Sequence, residues 1–98
     1  MAELYLTISE KEYDSINQGK QTEIYRDICP YWLKWFVYVP TEGEYFTKSY
    51  DYVSLKMIDS NRHMRYKIKK IVIAKGKQEW GAEKGKLYFV VRLEKRIG

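Results

Sequence analysis

Residues 64–74, "MRYKIKKIVIA", and 87–97, "LYFVVRLEKRI", are two long runs of strand-forming residues joined by a glycine-punctuated loop, and they commit the chain to a sheet. In the first run Met64, Tyr66 and Ile68 alternate with Arg65, Lys67 and Lys69, the two-residue period of a strand with one buried face and one wet face. The alternation breaks at Lys70, where a bulge would return Ile71 and Ile73 to the inward side. Three more strands follow from the same period: 4–8 ("LYLTI"), 20–26 ("KQTEIYR") and 50–58 ("YDYVSLKMI").

Helical signals fall between the strands. Ser9 can cap a first turn with Glu12 in the capping-box position, Ile8 can staple onto Tyr13, and Gly19 ends the helix after about three turns. Pro30 is placed as a first helical residue of "PYWLKWF", whose Trp32, Trp35 and Phe36 are spaced to dock onto a sheet. Residues 38–49 read as a long surface loop or loose hairpin. Few helices and about five strands avoid open edges most simply by curling, so the expected fold is α+β: a small mixed β-barrel of about five to six strands, with one main helix and a short aromatic one.

With 98 residues the chain fits one domain, residues 1–98, burying roughly 65% of the surface of its unfolded form. Cys29 is the only cysteine, which excludes an internal disulfide, and His63 stands alone in an expected turn. No metal or cofactor is expected. No stretch approaches the roughly 20 apolar residues of a membrane helix, and "MAELYLTISEKEY" lacks a leader's positive flank, so a cytoplasmic protein with no membrane partner is expected.

Charge is distributed unevenly. Residues 1–60 carry six Lys or Arg against ten Asp or Glu, and residues 61–98 carry twelve against three. A basic last third favours polyanionic partners such as RNA. Ten tyrosines and three tryptophans exceed what a small core needs, so several should line a surface or groove.

The stretch "GKQTEIYRDICPYW", together with "YDYVSL" and "EWGAEKGKLYFVVRLEKRI", resembles a small bacterial and phage branch of the ASCH domains, relatives of the PUA RNA-binding fold. The likeness runs along nearly the whole chain, and its most specific parts are residues 19–26 and 79–85. The resemblance implies a barrel beside a helix, with residues 19–26 forming the floor of a cleft that binds RNA. One distant group similar to ASCH domains hydrolyses N4-acetylcytidine with a lysine, a threonine and a glutamate. Lys20 and Thr22 lie two apart here, whereas those hydrolases space them by three, and Ile24 stands in the threonine's register.

Each candidate has two readings. Glu23 and Arg26 are either an ion pair that pins the sheet or a cleft pair, with Arg26 holding a phosphate or base edge and Glu23 accepting from an exocyclic amine. Lys20 is a solvated charge or a base acting on Thr22. Trp32 and Trp35 are expected in the core, and Tyr25 and Tyr31 in the cleft, where bases stack. Trp80 caps the barrel end or flanks the cleft. Arg65, Lys67 and Lys69 form a solvated face or a polyanion track.

The leading expectation is an RNA- or modified-nucleotide-binding module with Lys20, Glu23, Tyr25, Arg26 and Tyr31 in the cleft and Arg65, Lys67 and Lys69 on its flank. A small amidohydrolase using Lys20, Thr22 and Glu23 is the alternative. A structural or protein-interaction domain is a third.

Overall fold

A computed structural model describes residues 2–38, 43 and 46–98. Its elements in chain order are β1 (Glu3–Ile8), α1 (Glu10–Asn17), β2 (Glu23–Asp27), α2 (Pro30–Phe36), β3 (Val37–Tyr38), β4 (Phe46–Thr47), β5 (Tyr52–Met57), β6 (His63–Lys75), a 3-10 turn (Gln78–Trp80) and β7 (Leu87–Arg96). Five strands form one mixed sheet in the order β1-β5-β6-β7-β2, with β1 parallel to β5 and the other pairs antiparallel. The short β3 and β4 pair antiparallel; half of the loop expected at 38–49 lies outside the described residues.

The α+β class is as expected, but the sheet curls into a half-barrel instead of closing. No ladder joins the edges β1 and β2. The seam is occupied by α2, whose Tyr31, Trp32 and Trp35 line one cavity with Glu3, Leu4 and Tyr5 of β1, and by Arg26 of β2. Arg26 Nη2 donates across the gap to the Thr7 carbonyl at 3.0 Å, Nη1 donates to the Tyr25 carbonyl at 2.8 Å, and the guanidinium lies 5.5 Å from the Trp32 ring centroid. A side chain thus replaces the missing ladder.

Alternation places Leu4, Leu6, Ile8, Val53, Leu55, Met57, Met64, Ile24, Phe89 and Val91 on the inner face, where Tyr13 and Ile16 of α1 and Phe36 of α2 cover them. Phe36 stacks on Phe89 at 4.8 Å. Each such side chain taken out of water contributes roughly 1.5–3 kcal/mol. Trp32 joins this core only partly. Trp35 is 45% exposed, against expectation, because a seven-residue helix turns the pair Trp32 and Phe36 inward and leaves the intervening Trp35 to the side.

Around the first helix, Ser9 caps as expected, its hydroxyl accepting from the Glu12 amide at 3.1 Å. The helix has eight residues, nearer two turns than three. Past Gly19, whose φ is +77°, the amides of Lys20 and Gln21 still donate to the Ser15 carbonyl at 3.0 and 3.2 Å. The chain therefore leaves the helix later than the alternation implies, and β2 starts at Glu23 instead of residue 20.

The strand β6 does bulge, one residue before the predicted position. Ile68 faces Leu93 and Lys70 faces Arg92, so Lys69 is the extra residue, and Glu94 is a matching extra residue on β7. The bulge returns Ile71 to the core's edge. Ile73 also follows the inner phase, opposite Phe89, but remains exposed because the covered core ends before it.

Beyond the bulge the outer face of the sheet is covered too. Tyr25, Tyr88 and Val90, with Val72 and Ala74, pack under Ala82 and Trp80 of the loop between β6 and β7. Gly76 permits that close approach: a Cβ there would lie 2.6 Å from the Ala82 Cβ and 2.9 Å from the Tyr25 ring.

Candidate nucleic-acid interface

Register across β1, β5 and β6 builds a three-by-three outer face. Its rows are Glu3–Tyr52–Lys67, Tyr5–Ser54–Arg65 and Thr7–Lys56–His63, and Lys67 faces Lys95 on β7. Neither core cluster reaches this face. Tyr5 is 74% exposed, and Tyr5, Thr7, Ser54, Lys56 and His63 line a shallow groove of about 480 Å³. His63 opens β6 instead of sitting in a turn.

Arg65 is held by contacts on two sides. Its Nε donates to Glu3 Oε2 at 3.1 Å and its Nη2 to Glu3 Oε1 at 2.5 Å, while the guanidinium lies 5.1 Å from the Tyr52 ring centroid. The Glu3 hydrogen bonds hold the Arg65 guanidinium above its ordinary value, so it is charged at any physiological pH. Lys67 stands 3.4 Å from Glu94, an exposed pair worth at most about 1 kcal/mol. Lys69 leaves this row, against expectation: as the bulged residue it lines a cavity of about 300 Å³ with Thr47, Lys48 and Lys70.

The stretch expected to form a cleft divides between two faces. Arg26 is on the inner side at the seam, where burial lowers its pKa and the charges of Glu12 and Asp27 oppose that shift. Tyr25 and Glu23 are on the outer side. Tyr25 was expected exposed and is 9% exposed, because the loop after β6 folds back over it. Its hydroxyl donates to Glu23 Oε1 at 2.8 Å and accepts from the Lys77 amide at 2.9 Å, and Glu23 Oε2 accepts from Arg92 Nε at 3.1 Å. Burial, chiefly, pushes the Tyr25 hydroxyl up to about 12.

Glu23 therefore pairs with Arg92, not with Arg26. Lys20 and Thr22 are both exposed, and no hydrogen bond joins the Lys20 amine, the Thr22 hydroxyl and the Glu23 carboxylate. Tyr31 is exposed as expected, on α2, with its ring edge-on to Trp32 at 4.9 Å. Trp80 covers the second core cluster and also lines a cleft beside α1.

Three residues escaped the sequence reading. Tyr5 and Lys56 occupy outward positions of neighbouring strands, and strand periodicity carries no information on which strands are neighbours. Gln21 is 4% exposed, the sole buried polar residue among those described, and no local pattern marks it.

No group of His, Cys, Asp and Glu suited to a metal ion occurs among the described residues, and no helix among them is long and apolar enough to cross a membrane. No family model, curated protein or solved structure matches this chain.

Proposed function

We propose that the chain is a binding module for single-stranded RNA, an ASCH-like domain that uses the uncovered outer face of β1, β5 and β6. The observation that carries this reading is the pairing of a strongly exposed aromatic ring, Tyr5, with the cations Lys56, Arg65 and Lys67 on neighbouring strands of one open face. Bases stack on such rings at roughly 1–3 kcal/mol each, and flanking cations follow the backbone. Arg65, clamped by Glu3, presents its remaining donors in a fixed direction, which suits a phosphate or a base edge.

Fluorescence anisotropy with a labelled single-stranded RNA tests the reading. Three phosphate contacts give a slope of about −2 in log affinity against log salt, so affinity should fall roughly 20-fold between 50 and 200 mM salt. Tyr5→Ala should weaken binding at every salt concentration, and Lys56→Glu should flatten the slope. Absence of binding at 50 mM salt, or a salt-independent affinity, would refute it.

A further inference from the structure

Gln21 is buried at the foot of a cleft between α1 and the 3-10 turn. Its Nε2 donates to Glu12 Oε2 at 3.0 Å and to the Glu23 carbonyl at 2.9 Å. An amide nitrogen has two hydrogens, and both partners only accept, so the chemistry itself fixes which end of the amide is nitrogen. The other end, Oε1, receives a hydrogen bond from no described residue. Among the described residues no side-chain oxygen or nitrogen is both unpartnered and shut off from solvent. Oε1 is therefore open to solvent, and the cleft of about 230 Å³ is the hollow that Gln21 lines.

The walls of that cleft define what can fill it. Glu12 and Glu79 bring carboxylates, Lys11 is the one cation among its lining residues, and Trp80 supplies an aromatic ring. On a protein with a net charge of +5, the lining residues carry one net negative charge, with Lys77 beside Trp80 and Arg26 within reach of Glu12 as counter-charges, and their free polar atoms are mostly acceptors, which suits a cation rich in N–H donors better than a phosphate. The Trp80 ring already attracts a cation, Lys77 Nζ, at 4.5 Å from its centroid. Volume below the 300–1,000 Å³ typical of drug-sized pockets restricts the site to about one small group.

We propose that this cleft binds a guanidinium-type organic cation, whose planar fork of N–H donors is shared between Gln21 Oε1 and the Glu12 carboxylate with its flat face towards Trp80. A guanidinium presents its donors in one plane, side by side, whereas an alkylammonium gathers them around a point. The cleft shares no residue with the outer face of β1, β5 and β6, so it stands or falls independently of RNA binding.

Two-dimensional amide NMR of the whole chain, titrated with methylguanidinium chloride at constant ionic strength, tests this. Saturable shifts are expected at the Gln21 side-chain amide, the Trp80 indole N–H and the Glu12 and Gly81 amides, at least threefold tighter than with methylammonium and absent with urea. Glu79→Gln removes a charge from the exposed turn without touching the buried hydrogen bonds, and should weaken binding about two- to fivefold. Shifts that stay linear to the highest concentration, that urea or sodium chloride reproduces, or that Glu79→Gln leaves unchanged overturn the proposal.

Discussion

Tyr25→Phe removes a single oxygen and with it two hydrogen bonds, the donation to Glu23 and the acceptance from the Lys77 amide that ties the loop after β6 to the sheet. A bond to a charged acceptor is worth about 1.5–3 kcal/mol and a neutral one about 0.5–1.5 kcal/mol. Glu23 keeps Arg92, and the Lys77 amide can rehydrate on an exposed loop, so the expected loss is the lower part of the sum, about 2–3 kcal/mol. The pH dependence is a sharper test. Burial pushes the Tyr25 hydroxyl up to about 12 from an unfolded value near 10, with the Lys77 amide lowering it and the hydrogen bond and charge of Glu23 adding to the rise. A folded value above the unfolded one means stability is fully present below pH 10 and is lost as pH rises towards 12, by about 2–3 kcal/mol for a shift of that size. The phenylalanine variant has no such titration. Urea denaturation followed by circular dichroism should therefore show a gap between wild type and variant that is constant from pH 7 to 10 and shrinks above it, with unchanged m-values. A gap below about 0.5 kcal/mol at pH 7, or one that stays constant to pH 12, would refute the assignment of this hydroxyl as the loop's anchor.

Two further outcomes follow from the packing. Gly76→Ala puts a methyl group against Ala82 and the Tyr25 ring and should cost about 1–3 kcal/mol by thermal or chemical denaturation; wild-type stability would mean that the loop does not lie where Tyr25 holds it. Arg26→Met removes the bridge across the seam, and a loss of about 1–3 kcal/mol is expected together with faster amide exchange in β1 and β2 than in β6 and β7. Uniform exchange rates across the sheet would remove Arg26 from that role.

The inner face was legible because period-two alternation reports it directly: Leu4, Leu6, Ile8, Met64 and Ile68 were assigned inward and are buried. The Ser9 cap and Pro30 at a helix start are short-range signals and also held. What alternation cannot report is a partner distant in sequence. Sequence proximity brings Glu23 together with Arg26, as an ion pair or as a cleft pair, whereas its ion pair is with Arg92, the residue that faces it across the β2–β7 ladder. Tyr25 was expected in solvent because the covering residues, Trp80 and Ala82, belong to a loop that reads as polar and glycine-punctuated. The open barrel had the same cause: edge avoidance favours closure, and no local signal announced that Arg26 and α2 would fill the seam instead.

A single strand, β6, sets the limits of any ligand on the outer face. Its first five residues turn His63, Arg65 and Lys67 outward, and after the extra residue Lys69 one more exposed cation, Lys70, faces outward opposite Arg92 before Val72 and Ala74, which are partly buried under the loop. The open face therefore runs about 16 Å along the strands and about 10 Å across three of them, from the rise of about 3.3 Å per residue and the spacing of about 4.8 Å between strands. Such a patch has one well-exposed ring and can seat only a few nucleotides, towards the lower end of the roughly 4–16 that an OB fold covers. Contact energy from so few bases is small, and the Glu3 and Glu94 carboxylates offset part of the charge of Arg65 and Lys67. Affinity on this face must then come mostly from phosphate contacts, which makes its salt dependence, more than its strength at any one salt concentration, the property that distinguishes a nucleic-acid surface from an ordinary solvated sheet.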